Sequence, residues 1–272
     1  MFKNILNSLS QHDSPQIITV SNYDYREITL NWVCALNKLN INNYLVVSLD
    51  QKVHDYFNQK NINSALIETE NKVGVILKFK LQLSIYLLKN GIDFIFSDTD
   101  AVWLKNPNDI FLNEKNESDL VITMGTTHPK KVYNKWGFVM CTGLFFVKSS
   151  NKTIDLFSSA LEVCDTLYRD DQYAVNIALD ELGVEWKFED QYNLYLKNKG
   201  LLGYFKRIKI KCSKSIVRGI SNNLKISVLP YHNFPRTYSK KFDSYVLHPH
   251  AKKNSIDKKT LFKSLSIWMI DD

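Results

Sequence analysis

Glycine and proline are scarce in this 272-residue chain, at 9 and 6 residues, which excludes collagen-like, low-complexity and linker-rich architectures. The four cysteines, Cys34, Cys141, Cys164 and Cys212, form no Cys-x-x-Cys pair. Neither a zinc site nor a disulfide framework is indicated, and buried thiols are expected instead. No stretch approaches the roughly 18 apolar residues of a membrane-spanning helix, and residues 1–8 hold no sustained apolar region of the signal-peptide kind. These absences point to a cytoplasmic protein and make the sequons at Asn116 and Asn151 coincidental. Nor is an internal repeat apparent.

What the chain does have is apolar material, with 44% hydrophobic and 12% aromatic residues. That is enough for the core of one sizeable domain spanning residues 1–272. The net charge of +7 is unevenly placed. Residues 197–218 carry Lys197, Lys199, Lys206, Arg207, Lys209, Lys211, Lys214 and Arg218 without an acid, interleaved with Leu201, Tyr204 and Phe205. Such a segment suits an anionic surface, either acidic lipid headgroups at the inner face of a membrane or a phosphorylated acceptor. No nucleic-acid-binding motif accompanies the charge, so nucleic acid is not expected as a partner.

Hydrophobic periodicity places strands and helices in alternation. Residues 16–20 read as a strand, 44–49 as a second, and Ile28, Trp32, Ala35, Leu36 and Leu39 between them recur at helical spacing. A βαβ opening results. In such parallel sheets ligands bind beyond the carboxyl ends of strands, which puts Ser21, Asn22 and Tyr23 at a nucleotide site, with Tyr23 or Tyr25 able to stack on a base. A helix over 75–89 follows, with Lys78 and Lys80 as the polar exceptions in its core stripe. Further strands are expected over 92–97, 120–124, 137–147, 224–229 and 245–247, the third of these being interrupted at Cys141-Thr142-Gly143, and helices over 153–164 and after Arg169.

The stretch Ser97-Asp98-Thr99-Asp100-Ala101-Val102-Trp103 organises the rest. On an extended chain residues one apart point to the same side, so Asp98 and Asp100 repel unless a divalent metal, a shared proton or a cationic ligand lies between them. Asp170 and Asp171 open a helix, where acids serve as caps and dipole partners. His248 and His250 lie together at a strand end, two of only 6 histidines, an arrangement that suits metal ligation.

An apolar strand ending in Ser97-Asp98-x-Asp100 and followed by Val102-Trp103-Leu104-x-x-Pro107 resembles the nucleotide-diphospho-sugar transferases of glycosyltransferase family 77. The order of the remaining pieces is similar too: the Ser21-Asn22-Tyr23 loop, the helix with Lys78, Thr142-Gly143, Asp171-Gln172 with Asn176, Phe234-Pro235, and His248. The resemblance implies a GT-A fold, an α/β/α Rossmann-like sandwich with a mixed, mostly parallel sheet. Residues 1–100 would form its nucleotide-binding half and 101–272 its sugar- and acceptor-binding half. It further implies retaining transfer of a hexose or pentose from a nucleotide sugar, UDP above all, to a glycan, lipid-linked or protein acceptor, with Mn²⁺ or Mg²⁺ as cofactor. Asp98, Asp100 and His248 would be the metal ligands. Ser21, Asn22, Tyr23, Lys78, Asp98, Thr142, Gly143 and Lys253 would bind the donor, and Asp171 and Gln172 would act at the anomeric centre. Two residues depart from the family's pattern: Cys141 stands where Asn is usual, and Arg236 follows Phe234-Pro235 where a small residue or Gly is expected.

Two other readings fit parts of the chain. Asp98-Thr99-Asp100-Ala101-Val102 also matches the Asp-x-Asp motif of haloacid-dehalogenase phosphatases, with Asp98 as nucleophile, although almost a hundred residues precede it. A nucleotide-sugar or glycan-binding module without turnover would keep the same fold.

Overall fold

Strands β1 (Gln16–Ser21), β2 (Tyr44–Ser48), β4 (Phe94–Ser97), β6 (Leu120–Met124) and β7 (Met140–Val147) are buried along almost their whole length. Strands of that kind need cover on both faces. The computed structural model, which describes residues 2–9, 14–167, 170–187, 214–250 and 254–270, supplies it. With β3 (Ser64–Leu66), β8 (Glu185–Lys187), β9 (Val217–Ser221) and β10 (Leu224–Leu229), these strands form a nine-stranded sheet in the order β3-β2-β1-β4-β7-β6-β10-β9-β8. Pairing is parallel from β3 through β4 and between β6 and β10, whereas β7 runs antiparallel to both its neighbours, and β9 likewise. The sheet is therefore mixed, with most strands pointing one way.

Alternate side chains along the strands divide between two layers. Ile18, Leu45, Val47, Phe94, Phe96, Phe145 and Val147 pack with helices α4 (Val73–Lys89), α7 (Asn151–Leu167) and α8 (Asp171–Glu181). Ile17, Val46, Ile95 and Phe146 pack on the other side with α2 (Arg26–Lys38), α3 (Gln51–Asn58) and α5 (Asn108–Glu117). The expected α/β/α sandwich is thus present. A separate two-stranded ribbon pairs β5 (Val102–Trp103) antiparallel with β11 (Val246–Leu247), and α9 (Ser255–Ser264) packs near it through Phe262. No helix among the described residues is long and apolar enough to cross a membrane.

Several expected elements need correction. The strand over 92–97 begins only at Phe94, and Asp98 to Asp100 form a turn closed by Ala101 N–H donating to Asp98 O at 3.0 Å, not an extended segment. The strand over 137–147 starts at Met140, preceded by α6 (Lys130–Trp136), and is not broken at Cys141-Thr142-Gly143. Its ladder with β6 is broken instead: Ile122 faces Phe145 but Thr123 faces Cys141, a bulge that pushes Thr142 and Gly143 out of register. Residues 245–247 join the ribbon and not the main sheet. The basic stretch over 197–213, Lys253 and Arg169 lie outside the described residues.

Candidate functional site

The carboxyl ends of β1 and β4 lie side by side, and the bulged start of β7 comes up beside β4, its Gly143 carbonyl accepting from Asp98 N–H at 2.7 Å. A cavity of about 810 Å³ opens at this edge, where ligands bind in open α/β sheets. Ser97 explains the Ser-Asp-x-Asp-x-x-Trp pattern physically. Its hydroxyl oxygen accepts from both indoles, Trp32 Nε1 at 3.0 Å and Trp103 Nε1 at 3.1 Å, pinning the two ends of the acidic turn to the helix layer.

His248 is delivered by the ribbon. Leu247 pairs with Val102, so the next residue of β11's antiparallel course comes alongside the acidic turn. His248 Nε2 lies 3.1 Å from Asp100 Oδ1 and 4.0 Å from Asp98 Oδ2. One ligand atom from each of Asp98, Asp100 and His248 falls within 4.8 Å of the others. Hard carboxylate oxygens with one imidazole suit a divalent ion such as Mn²⁺ or Mg²⁺. Gly143 makes the approach sterically open: a Cβ there would stand 2.2 Å from His248 Cε1 and 2.7 Å from Asp98 Oδ2.

Cations surround the acids. Lys258, from α9, pairs with Asp100, and Lys80 bridges Asp98 Oδ1 at 2.9 Å and Asp171 Oδ2 at 2.7 Å. Burial works against ionisation of Asp100, but His248 and Lys258 outweigh it and hold the carboxyl well below the usual range. Asp171 is pushed upward, burial exceeding the opposing pull of Lys80 and of a hydrogen bond from Thr142. Lys80 stays above the ordinary lysine range because Asp171 and Asp98 overcome its burial. Arg236 Nη1 lies 2.6 Å from Cys141 Sγ and 2.9 Å from His248 Nδ1. The two departures from the family's pattern are therefore in contact with one another. Despite burial, Arg236 and His248 draw the Cys141 thiol down to about 7.

Most residues expected at the site line this cavity: Ser21, Asn22, Asp98, Asp100, Thr142, Gly143, Asp171, Gln172 and His248. Lys78 does not. Successive residues turn about 100° around a helix, so Lys78 points away from the face that carries Lys80, Ser84 and Leu87, and it pairs with Asp165 at 2.6 Å. Tyr23 is not a lining residue either; it is 38% exposed, with the Arg26 guanidinium carbon 4.2 Å from its ring centre. Tyr25 lines the cavity instead. Asp170 is a cap, accepting from Tyr173 N–H at 2.7 Å. Asn176 is structural as well, clasping Met140 through N–H and C=O at 2.9 Å each. Lys258, which no sequence pattern singled out, reaches the site from α9 and meets Asp100. The signal for Lys80 was a lysine embedded in an otherwise apolar helical stripe; nothing local marked Arg236's contact with His248, which depends on His248 N–H donating to Pro235 O and His250 N–H to Arg236 O.

Comparison with known proteins matches residues 39–261 to the nucleotide-diphospho-sugar transferase family. Among curated relatives, a UDP-galactose:fucoside alpha-3-galactosyltransferase of Dictyostelium discoideum is 21% identical, aligned over 96% of this chain and 44% of its own length. The beta-arabinofuranosyltransferase RAY1 of Arabidopsis thaliana is 27% identical over 34% of this chain and 19% of its own. The chain spans less than half the length of these relatives. Among solved structures, the galactosyltransferase LgtC in complex with donor and acceptor sugar analogs superposes with a TM-score of 0.45 at 12% identity, covering 59% of this chain and 69% of that one.

Proposed function

This chain belongs to the nucleotide-diphospho-sugar transferase family, and on that premise we propose that it is a metal-dependent, retaining glycosyltransferase that moves a hexose or pentose from a UDP-sugar to a glycan, lipid-linked or protein acceptor. One observation carries the reading: Asp98, Asp100 and His248 converge at the carboxyl edge of the sheet, inside the family-matched residues. Galactose and arabinose are the sugars named for its relatives, and they are the first donors to test. The family match extends far beyond the Asp-x-Asp motif, which removes the ground for the phosphatase reading of Asp98. A cytoplasmic location, with membrane contact through residues 197–218, belongs to the same proposal.

A bound Mn²⁺ or Mg²⁺ would neutralise the charge that gathers on a diphosphate leaving group. The chain's own residues do the rest. Asp98 and Asp100 fix the leaving-group side of the cavity, with His248 completing the ligand set. Thr142 and Gly143, displaced by the bulge, form the floor beneath the donor sugar. Asp171 lies across Lys80 from Asp98, and as a carboxylate it accepts from sugar hydroxyls and stabilises positive charge developing at the anomeric carbon. Gln172 donates to His128 O at 2.7 Å, which fixes its amide with the carbonyl oxygen remaining as an acceptor. Ser21, Asn22 and Tyr25 offer polar groups and a ring to the nucleoside.

The test is a screen of nucleotide sugars for Mn²⁺-dependent hydrolysis and thermal stabilisation, with Asp100→Asn alongside. We expect turnover with a UDP-sugar and a loss of at least a thousandfold in Asp100→Asn. Absence of any donor response, with and without metal, would defeat the proposal. Stabilisation by a donor without hydrolysis or transfer to any acceptor would favour a binding module.

A further inference from the structure

The contact between Arg236 and His248 is chemically awkward for a metal ligand. Arginine can only donate hydrogen bonds. With Arg236 Nη1 at 2.9 Å, His248 Nδ1 must present its lone pair, and the proton of the neutral ring resides on Nε2. That nitrogen faces Asp100 Oδ1 at 3.1 Å, a good acceptor, so both ends of the ring are satisfied. Coordination through Nε2 requires the opposite tautomer, with a lone pair on Nε2 and the proton on Nδ1. Histidine ligands ordinarily have an acceptor at the second nitrogen, a carboxylate, a carbonyl or water. Here a guanidinium occupies that place.

The guanidinium is held there. Backbone pairing of Pro235 and Arg236 with His248 and His250 fixes its origin, Cys141 Sγ accepts from the same Nη1, and no carboxylate lies within salt-bridge distance of it among the described residues. Lys80 and Lys258, the neighbouring cations, are both paired to acids. The other acceptor of its Nη1, Cys141 Sγ, lies only 3.7 Å from His248 Nδ1, so it holds the guanidinium beside the ring and does not draw it away.

We infer that Arg236 is a positioning residue that holds His248 in the tautomer unable to ligate through Nε2, so that metal binding requires the guanidinium to withdraw from Nδ1. As it withdraws, the proton leaves Nε2 and one is taken up at Nδ1 from solvent, leaving the ring neutral. The new Nδ1–H then faces Cys141 Sγ, 3.7 Å away, which serves as the acceptor. This rests on the metal reading of the triad and adds a sign to it: Arg236 opposes metal binding.

The experiment measures Mn²⁺ alone, without donor, by calorimetry and by the loss of the free-ion electron paramagnetic resonance signal, on the full chain. Arg236→Met removes the donor and keeps the length; Arg236→Gln offers a carbonyl that can accept from Nδ1–H. Both are expected to bind Mn²⁺ about tenfold more tightly than the native chain, the size of one hydrogen bond to a charged group. Unchanged or weaker binding in variants whose thermal unfolding remains cooperative would overturn the inference while leaving the transferase proposal intact. Failure of all three proteins to bind Mn²⁺ would overturn the metal reading, and the inference with it. Independently of any variant, ¹⁵N chemical shifts of His248 in metal-free native protein should report the proton on Nε2; a proton on Nδ1 would overturn the inference.

Discussion

Replacing Lys80 by methionine would remove the cation that bridges Asp98 and Asp171 while keeping an unbranched side chain of similar size. The side chains of Lys80 and Asp171 are 7% and 6% exposed, whereas that of Asp98 is 28% exposed. The cost therefore falls mainly on Asp171. Breaking a buried pair by removing one partner costs about 3–5 kcal/mol, and the better-solvated Asp98 adds at most about 1 kcal/mol. Some relief comes from protonation, so we expect a net loss of about 3–4 kcal/mol at pH 7.5, or a fall in Tm of about 5–7 °C for a chain of this size. The pH dependence has a definite sign. Burial already raises Asp171 with Lys80 present, and without that lysine its folded value rises further above the unfolded one. The folded variant then binds a proton more readily than the unfolded chain, so its deficit is small below about pH 4 and grows as pH rises through the folded value. Denaturant unfolding at several pH values measures this directly. Adding Asp171→Asn to Lys80→Met should recover at least half the loss, since the uncompensated charge is gone. A deficit below about 1 kcal/mol at pH 7.5, or a double variant no more stable than the single, would refute the assignment of Lys80 as a buried counter-ion.

Lys78→Ala, two residues away on α4, should change stability by no more than about 0.5 kcal/mol by the same denaturant assay, because its pair with Asp165 is solvent-exposed. Gly143→Ala should displace His248 and Asp98, costing about 1–3 kcal/mol and at least tenfold in Mn²⁺ affinity by calorimetry; unaltered affinity would mean the triad is not the metal site. Asp100 titrates well below the ordinary carboxylate range, so its stabilisation of the fold is complete above about pH 4 and disappears as pH falls toward the depressed value. The stability gap between the native chain and Asp100→Asn, measured by unfolding from pH 7 downward, should narrow over that acid range.

The sequence by itself determined the sandwich and the location of the acids, because both are written in local patterns. Apolar runs long enough for buried strands alternate with helical periodicity, and a strand ending in two acids brings them to the carboxyl edge whatever else the chain does. His248 was legible as one of two histidines together at a strand end, but it reaches that edge only because its strand pairs with β5 in the ribbon beside the acidic turn. Tertiary structure alone decided which cations met the acids. Lys78 and Lys80 lie on one helix, and only the direction in which α4 presents its faces to the sheet separates a solvent pair with Asp165 from a buried bridge between Asp98 and Asp171. The turn at Asp98 to Asp100 is tied to Gly143 and the bulge at Thr142 and Gly143 is set by the pairing of β7 with β6, so both depend on segments distant in the chain. Cys141 and Arg236 stood out in the sequence as two unrelated departures. Their contact, and the guanidinium it sets against His248, exists because β7, the Phe234-Pro235 loop and the β11 ribbon converge at one edge, and no local pattern encodes that meeting.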